Sequence, residues 1–151
     1  MATITKTNPK LFDQFMDVVS SFQPCSIEQI RRAMKEGWGP VYSARNFALE
    51  YGFVNYSEEN KRFTLSMLGE RLLRFSGNLR NEFLVHNVKL QCNEPFLSLS
   101  RELQNKKEMT IQDVSDFLET KFPSKKKWAP IDKDAIGAAM SEWLKVLAIV
   151  S

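Results

Sequence analysis

The sequence predicts a mostly helical protein with a small β-hairpin, in which one helix, turn, helix, strand unit occurs twice. Three observations carry that expectation. Across 26–54, SIEQIRRAMKEGWGPVYSARNFALEYGFV, apolar residues recur at helical spacing, stop at Gly37-Trp38-Gly39 and resume after Pro40. Next, 53–66 reads FVNYSEENKRFTLS, two stretches rich in β-branched and aromatic residues around the polar turn Ser57-Glu58-Glu59-Asn60, which is a hairpin pattern. The same grammar then returns. Ser26-Ile27-Glu28-Gln29-Ile30 is echoed by Thr110-Ile111-Gln112-Asp113-Val114, Trp38-Gly39-Pro40-Val41 by Trp128-Ala129-Pro130-Ile131, and Phe53-Val54 by Ile149-Val150. The first two landmarks lie 12 positions apart in one copy and 18 in the other, and the extra length falls in the 122–127 turn, where a loop absorbs it.

Taken in order, residues 1–8 are polar and β-branched and read as a loose tail. Asn8-Pro9 marks the start of a helix to about Phe22, with Leu11, Phe12, Phe15, Val18, Val19 and Phe22 on its apolar side. Gln23-Pro24-Cys25 ends it. The Ser26 hydroxyl can cap the next helix, whose stripe is Ile27, Ile30 and Met34. Pro40 suits the first turn of the helix after that, because its missing N–H is not needed there. Val41, Ala44, Phe47 (or Ala48) and Tyr51 form that helix's inner stripe, and Gly52 its C-cap. Phe53 to Tyr56 and Arg62 to Leu65 are the expected strands.

A helix from Met67 to about Phe75 carries Leu68, Leu72 and Leu73 and stops at Ser76-Gly77-Asn78. The middle reads as two helices. The first runs from about Leu79 to Leu90, with Phe83, Leu84, Val88 and Leu90 apolar. Asn93-Glu94-Pro95 separates it from Phe96 to about Leu103, with Leu97, Leu99 and Leu103 apolar. Thr110 caps a helix from Ile111 to about Lys121 that buries Val114, Phe117 and Leu118. Pro130 or Asp132 opens the last helix, which buries Ile131, Ile136, Ala139, Met140, Trp143 and Leu144. Leu147 to Val150 reads as a final strand. Its return partner is missing, which suits an abbreviated unit or, preferably, the N-terminal part of a longer chain.

At 151 residues the chain has room for one ordinary domain or two very small ones, and the repeat divides it into 1–76 and 77–151. Hydrophobic residues at 43% and charged residues at 26% are those of a soluble globular protein. No apolar run is long enough to span a bilayer and MATITKTNPK lacks an apolar signal core, so the expectation is a cytoplasmic protein with no membrane partner. Cys25 and Cys92 are too few for a disulfide framework and read as reduced thiols that pack locally. A formal charge of +3 and pI ≈ 8.9 permit nucleic-acid binding without demanding it.

Helix, turn, helix and strand in this order suggest a helix-turn-helix followed by a β-wing, an architecture that puts its second helix into the DNA major groove. With Val41, Ala44, Phe47 and Tyr51 inward, Tyr42, Ser43, Arg45, Asn46 and Glu50 face out. Arg45 suits a guanine edge and Asn46 an adenine edge, though an ordinary polar face has the same composition. Lys61 and Arg62 flank the wing turn and suit phosphates, against the opposing charge of Glu58 and Glu59. Arg31, Arg32 and Lys35 read as a solvated face. The run Lys125-Lys126-Lys127 suits phosphate binding at the mouth of the second copy's recognition helix, whose outward residues are Asp132, Lys133, Ser141 and Glu142. Trp38 and Trp128 are expected to pin their turns against the core rather than to stack on bases. His86 is the only histidine, and no metal-ligand set, nucleophile triad, carboxylate pair or phosphate-binding glycine motif accompanies it. Neither a cofactor nor catalysis is expected.

The pieces SIEQIRRAM, GWGPVYSARNFALEYGFV and NYSEENKRFTLS followed by MLGERLLRF resemble the winged helix-turn-helix superfamily. The last piece is similar to the hairpin and L-T-x-x-G-x-x-L exit of many winged-helix regulators, with Met67 to Gly69 departing slightly. The resemblance implies a mostly α fold with small β-wings, a tandem winged helix-turn-helix. It also looks like winged-helix modules attached to ATPases and to prokaryotic restriction, defence or transcription-regulating proteins. It implies double-stranded DNA as the partner, through Tyr42, Ser43, Arg45, Asn46, Lys61, Arg62, Lys125, Lys126, Lys127 and Lys133. The alternative it leaves open is a protein-interaction or dimerisation module of a larger assembly, completed by another chain at the Leu147–Val150 edge.

Overall fold

The computed structural model describes residues 5–88, 93–123 and 128–150, with backbone alone for 88 and 148–150. They form helices α1 (Pro9–Phe22), α2 (Ile27–Met34) and α3 (Trp38–Glu50), strands β1 (Val54–Ser57) and β2 (Arg62–Leu65), and helices α4 (Met67–Leu72), α5 (Gly77–Val88), α6 (Phe96–Lys106), α7 (Ile111–Lys121) and α8 (Pro130–Val150). The fold is mostly helical with a small two-stranded antiparallel sheet.

Side-chain caps fix where the helices begin. Asn8 accepts a hydrogen bond from the Leu11 amide at 2.8 Å, and Pro9 opens α1. Ser26 and Gln29 form a reciprocal capping box ahead of α2, and Thr110 and Asp113 form the same box ahead of α7. Helix α3 starts two residues before Pro40, with Gly37 at its N-cap, so the proline falls in a first turn whose N–H groups have no intrahelical acceptor. After Tyr51, Gly52 takes a left-handed φ of 74° and turns the chain into β1.

In the hairpin Val54 lies opposite Leu65, Tyr56 opposite Phe63 and Ser57 opposite Arg62. On the outer side of β2, Cys25 and Phe63 exchange both backbone hydrogen bonds, at 3.1 and 2.7 Å. The connection between α1 and α2 thus adds a third, one-residue rung to the sheet. Cys25 is a free, fully buried thiol, and burial pushes its pKa up; Cys92 lies outside the described residues.

One aromatic cluster joins the two ends of the chain. The Trp143 ring of α8 stacks on Phe47 of α3 at 4.7 Å, and also meets Phe12 of α1 at 6.2 Å and Phe96 of α6 at 6.0 Å. Its indole N–H donates to the Thr7 carbonyl at 2.8 Å. Helix α8 packs on α5, α6 and α7 and touches α1. The core therefore runs across the expected boundary between 76 and 77. On α1, Asp13 lies near Arg80 of α5 at 3.5 Å; burial raises the carboxyl's pKa against the opposing pull of that guanidinium.

Several expectations are corrected. Residues 147–150 continue α8 as helix instead of forming a strand, because nothing between Trp143 and Val150 breaks a helix that runs for 21 residues. Among the described residues of 77–150 there is no strand, and no sheet edge at Leu147–Val150 for a partner to complete. Phe22 is 55% exposed and Ile131 79% exposed, each in the terminal turn of its helix. Met16 and Ser115, absent from the expected stripes, are buried. Trp38 is 41% exposed at the start of α3, whereas Trp128 is half-buried against the core two residues before α8, so the two indoles occupy different surroundings.

Tyr51 supplies a prediction. Its hydroxyl is buried without a hydrogen-bond partner among the described residues. Burial raises its pKa above the ordinary tyrosine value, with a smaller push from the Glu50 carboxylate. A phenol that resists ionisation only in the folded state binds more protons folded than unfolded. Stability is therefore intact below the unfolded pKa of about 10 and falls as pH rises beyond it. Tyr51→Phe is expected to leave stability at pH 7 unchanged or raised by up to about 1 kcal/mol, and to flatten the loss between pH 9.5 and 11. Urea melts across that range check it.

Candidate nucleic-acid interface

Helix α3 turns Val41, Ala44, Phe47 and Ala48 into the core, which leaves Tyr42, Ser43, Arg45 and Asn46 on its outer side. Trp38, Tyr42 and Arg45 follow one another at i, i+4 and i+7, so their side chains climb one face of the helix. The Trp38 and Tyr42 rings stack at 5.4 Å with 22° between their planes. The Arg45 guanidinium lies over Tyr42, 4.4 Å from the ring centroid, and Arg31 of α2 lies over Trp38 at 4.7 Å. The result is a ladder of cation, indole, phenol and cation. Arg45 also donates from Nε and Nη2 to the Asn46 side-chain carbonyl, at 3.1 and 2.8 Å.

Arg45, Asn46, Lys61 and Arg62 line one groove of about 560 Å³ between the start of α2, the outer face of α3 and the hairpin. Ile27, Leu49 and Phe63 supply its apolar surface, and Tyr56 its aromatic edge. Lys61 holds a left-handed φ of 54° at the end of the hairpin turn. Arg62 donates from Nη1 to the Asn60 and Lys61 carbonyls at 3.3 and 3.2 Å, which fixes it at the turn. Glu28 also borders the groove, but its carboxylate is paired with Arg32 at 2.6 Å. Glu58 and Glu59 are exposed at the tip and do not line the groove. Ser43 lines a neighbouring hollow of about 620 Å³ together with Asn46, Thr5, Lys6 and Glu50.

Of the residues expected to contact DNA, the structure brings together Arg45, Asn46, Lys61 and Arg62, with Tyr42 in contact with Arg45 and Ser43 beside them. Lys133 is not part of the group. Its ammonium is tied to Asp116 and, at 3.7 Å, to Glu119, both on α7. The hydrogen bond from Lys133 lowers the pKa of Asp116, and the same bond raises that of Lys133, so this cation is already neutralised. Lys125, Lys126 and Lys127 lie outside the described residues. Two participants were not expected. Arg31 belongs to the ladder rather than to a merely solvated face, and Tyr56 borders the groove. The i, i+4, i+7 spacing of Trp38, Tyr42 and Arg45 was the available signal for the ladder.

His86 is exposed in the last turn of α5. Among the described residues no group of three or more His, Cys, Asp or Glu side chains is placed to hold a metal ion, and no helix is long and apolar enough to cross a membrane. Comparison of the chain with protein-family models, with curated proteins and with solved structures finds no match.

Proposed function

We propose that residues 1–76 form a winged helix-turn-helix that binds double-stranded DNA non-catalytically, with α3 as the recognition helix and the hairpin as the wing. The observation that supports this reading is the meeting of Arg45, Asn46, Lys61 and Arg62 in one groove, two from the outer face of α3 and two from the hairpin. Phosphate-type cations on a wing beside donor-rich side chains on a helix match the division between positioning contacts and base contacts. The order helix, single-residue rung, helix, helix, hairpin is also that of a winged helix. Residues 77–151 are read as the second unit of a tandem, with no wing among its described residues, a reading supported by the shared capping box of α2 and α7.

Binding is then largely electrostatic and weakens steeply with salt. Fluorescence anisotropy with a labelled duplex, titrated from low to physiological salt, checks it. Lys61→Ala with Arg62→Ala is expected to weaken all sequences alike and to lower the salt slope by roughly one per lost phosphate contact. Replacing Lys125 to Lys127 together is expected to do the same. Lys133→Ala should leave affinity unchanged, because Asp116 and Glu119 already neutralise that ammonium. No binding at micromolar protein in low salt overturns the proposal.

A second reading, a protein-interaction module, is favoured by the exposed apolar side chains Met67, Leu79, Ile111 and Ile131. It predicts concentration-dependent mass in light scattering; a monomer at all concentrations speaks against self-association.

A further inference from the structure

We infer that the outer face of α3 selects guanine, and that Asn46 acts as a positioning residue for Arg45 instead of reading adenine itself. This inference rests on the DNA-binding reading above and names the base that the same groove recognises.

The hydrogen-bond inventory carries it. A side-chain amide recognises adenine in the major groove by accepting from N6–H with its oxygen while donating to N7. The Asn46 oxygen has two lone pairs, and Arg45 fills both, Nε at 3.1 Å and Nη2 at 2.8 Å. What Asn46 then offers outward is its NH₂ group alone, which only donates. Arg45 is a pure donor as well, and its Nη1 hydrogens remain without a partner in the pair. The two side chains thus present donors and no acceptor. Guanine shows two acceptors in the major groove, N7 and O6, whereas adenine pairs its N7 with an N6–H₂ donor, thymine offers O4 alone and cytosine only an N4–H₂ donor. A donor-only surface meets guanine at two points, adenine and thymine at one, and cytosine at none.

The arrangement is also held in place. The guanidinium rests on the Tyr42 ring at 4.4 Å, Tyr42 is stacked by Trp38, and Trp38 is covered by Arg31. Asn46 fixes the remaining rotation about the guanidinium edge. An arginine ordered before binding loses less side-chain freedom on meeting a base, so the ladder sharpens the preference without touching DNA itself.

The test uses the full chain and a panel of duplexes of equal length, in which guanine, adenine, thymine or cytosine occupies each position in turn. Affinity ratios are read at fixed low salt. The wild type is expected to favour guanine over adenine by about tenfold or more at one position at least. Asn46→Asp keeps an acceptor for Arg45 but turns a second acceptor outward in place of the amide donors. It is expected to lower affinity for every duplex through charge repulsion and to narrow the guanine-to-adenine ratio, because the outward oxygen can accept from adenine N6–H. Asn46→Ala and Arg45→Ala are both expected to bring that ratio close to one. An even ratio in the wild type, an adenine preference that Asn46→Ala abolishes, or an Asn46→Asp variant with an undiminished guanine ratio would each overturn the inference while leaving DNA binding intact. Absence of binding to any duplex would instead overturn the DNA-binding reading on which it rests. Because both positions are on the helix's outer side, circular dichroism and thermal melts of the variants verify that the fold is unchanged.

Discussion

Trp143→Ala is expected to lose roughly 3–5 kcal/mol of folding stability, the range for removing a large aromatic side chain from a packed core. Trp143 is fully buried and meets α1, α3 and α6 at once, through Phe12, Phe47 and Phe96. Its removal leaves a cavity in the centre of the aromatic cluster and strips the Thr7 carbonyl of its donor. For a chain of this size each kcal/mol corresponds to roughly 2–4 °C in Tm, so the melting temperature should fall by ten degrees or so. Trp143→Phe retains an aromatic partner for Phe47 but not the hydrogen bond, and is expected to lose about 1–3 kcal/mol. Guanidinium melts of the two variants, followed by far-UV circular dichroism, measure both. The wild type should unfold in a single transition, since the cluster ties 1–76 to 77–150. Two separated transitions, or an alanine variant within 1 kcal/mol of wild type, would contradict the central role given to this residue.

Gly69→Ala should be nearly as damaging for the opposite reason, too much matter in place of too little. A Cβ built on Gly69 would lie 2.1 Å from the Phe53 carbonyl oxygen and 3.1 Å from the Met16 methyl. The methionine can swing away, but the carbonyl belongs to the backbone and accepts the Ser66 amide at 3.0 Å. Ser66 in turn caps α4 through the Gly69 amide at 3.0 Å and donates to the Gly52 carbonyl at 2.6 Å. Making room therefore disturbs the junction of α3, the hairpin and α4 together. The expected cost is about 3 kcal/mol, at the upper end for overpacking. Gly39→Ala is the control. Nothing lies within 4 Å of its added carbon, and the change is expected to be neutral or to stabilise by up to about 1 kcal/mol.

What the sequence made legible was local. Asn8, Ser26 and Thr110 sit at helix starts with partners three residues away, and turn signals such as Gly52 act within a few positions. The hairpin followed from β-branched and aromatic residues around a polar turn. What misled was equally physical. Periodicity says which side of a helix is apolar but not how far the core extends along it, so Phe22 and Ile131 were assigned inward and stand exposed. A short apolar run such as Leu147–Val150 reads the same as strand or buried helix, and the absence of a breaker after Trp143 decided it. The fate of Lys133 depends on Asp116 and Glu119, carboxylates brought to it only by the packing of α7 on α8. The outward set of α3 was readable from its inner stripe, while the hydrogen bonding of Arg45 to Asn46 and its stacking on Tyr42 depend on rotamers no spacing specifies.

The Cys25–Phe63 rung has a consequence for the cleft beside it. Two main-chain bonds fasten the segment just ahead of α2 to the returning strand of the hairpin, so the walls contributed by α2 and by β2 are held by backbone. Side-chain exchanges at Lys61 or Arg62 therefore leave the main-chain tie between these two walls in place. If the proposed DNA contact holds, the chemistry of this mouth can change while that part of its frame stays constant.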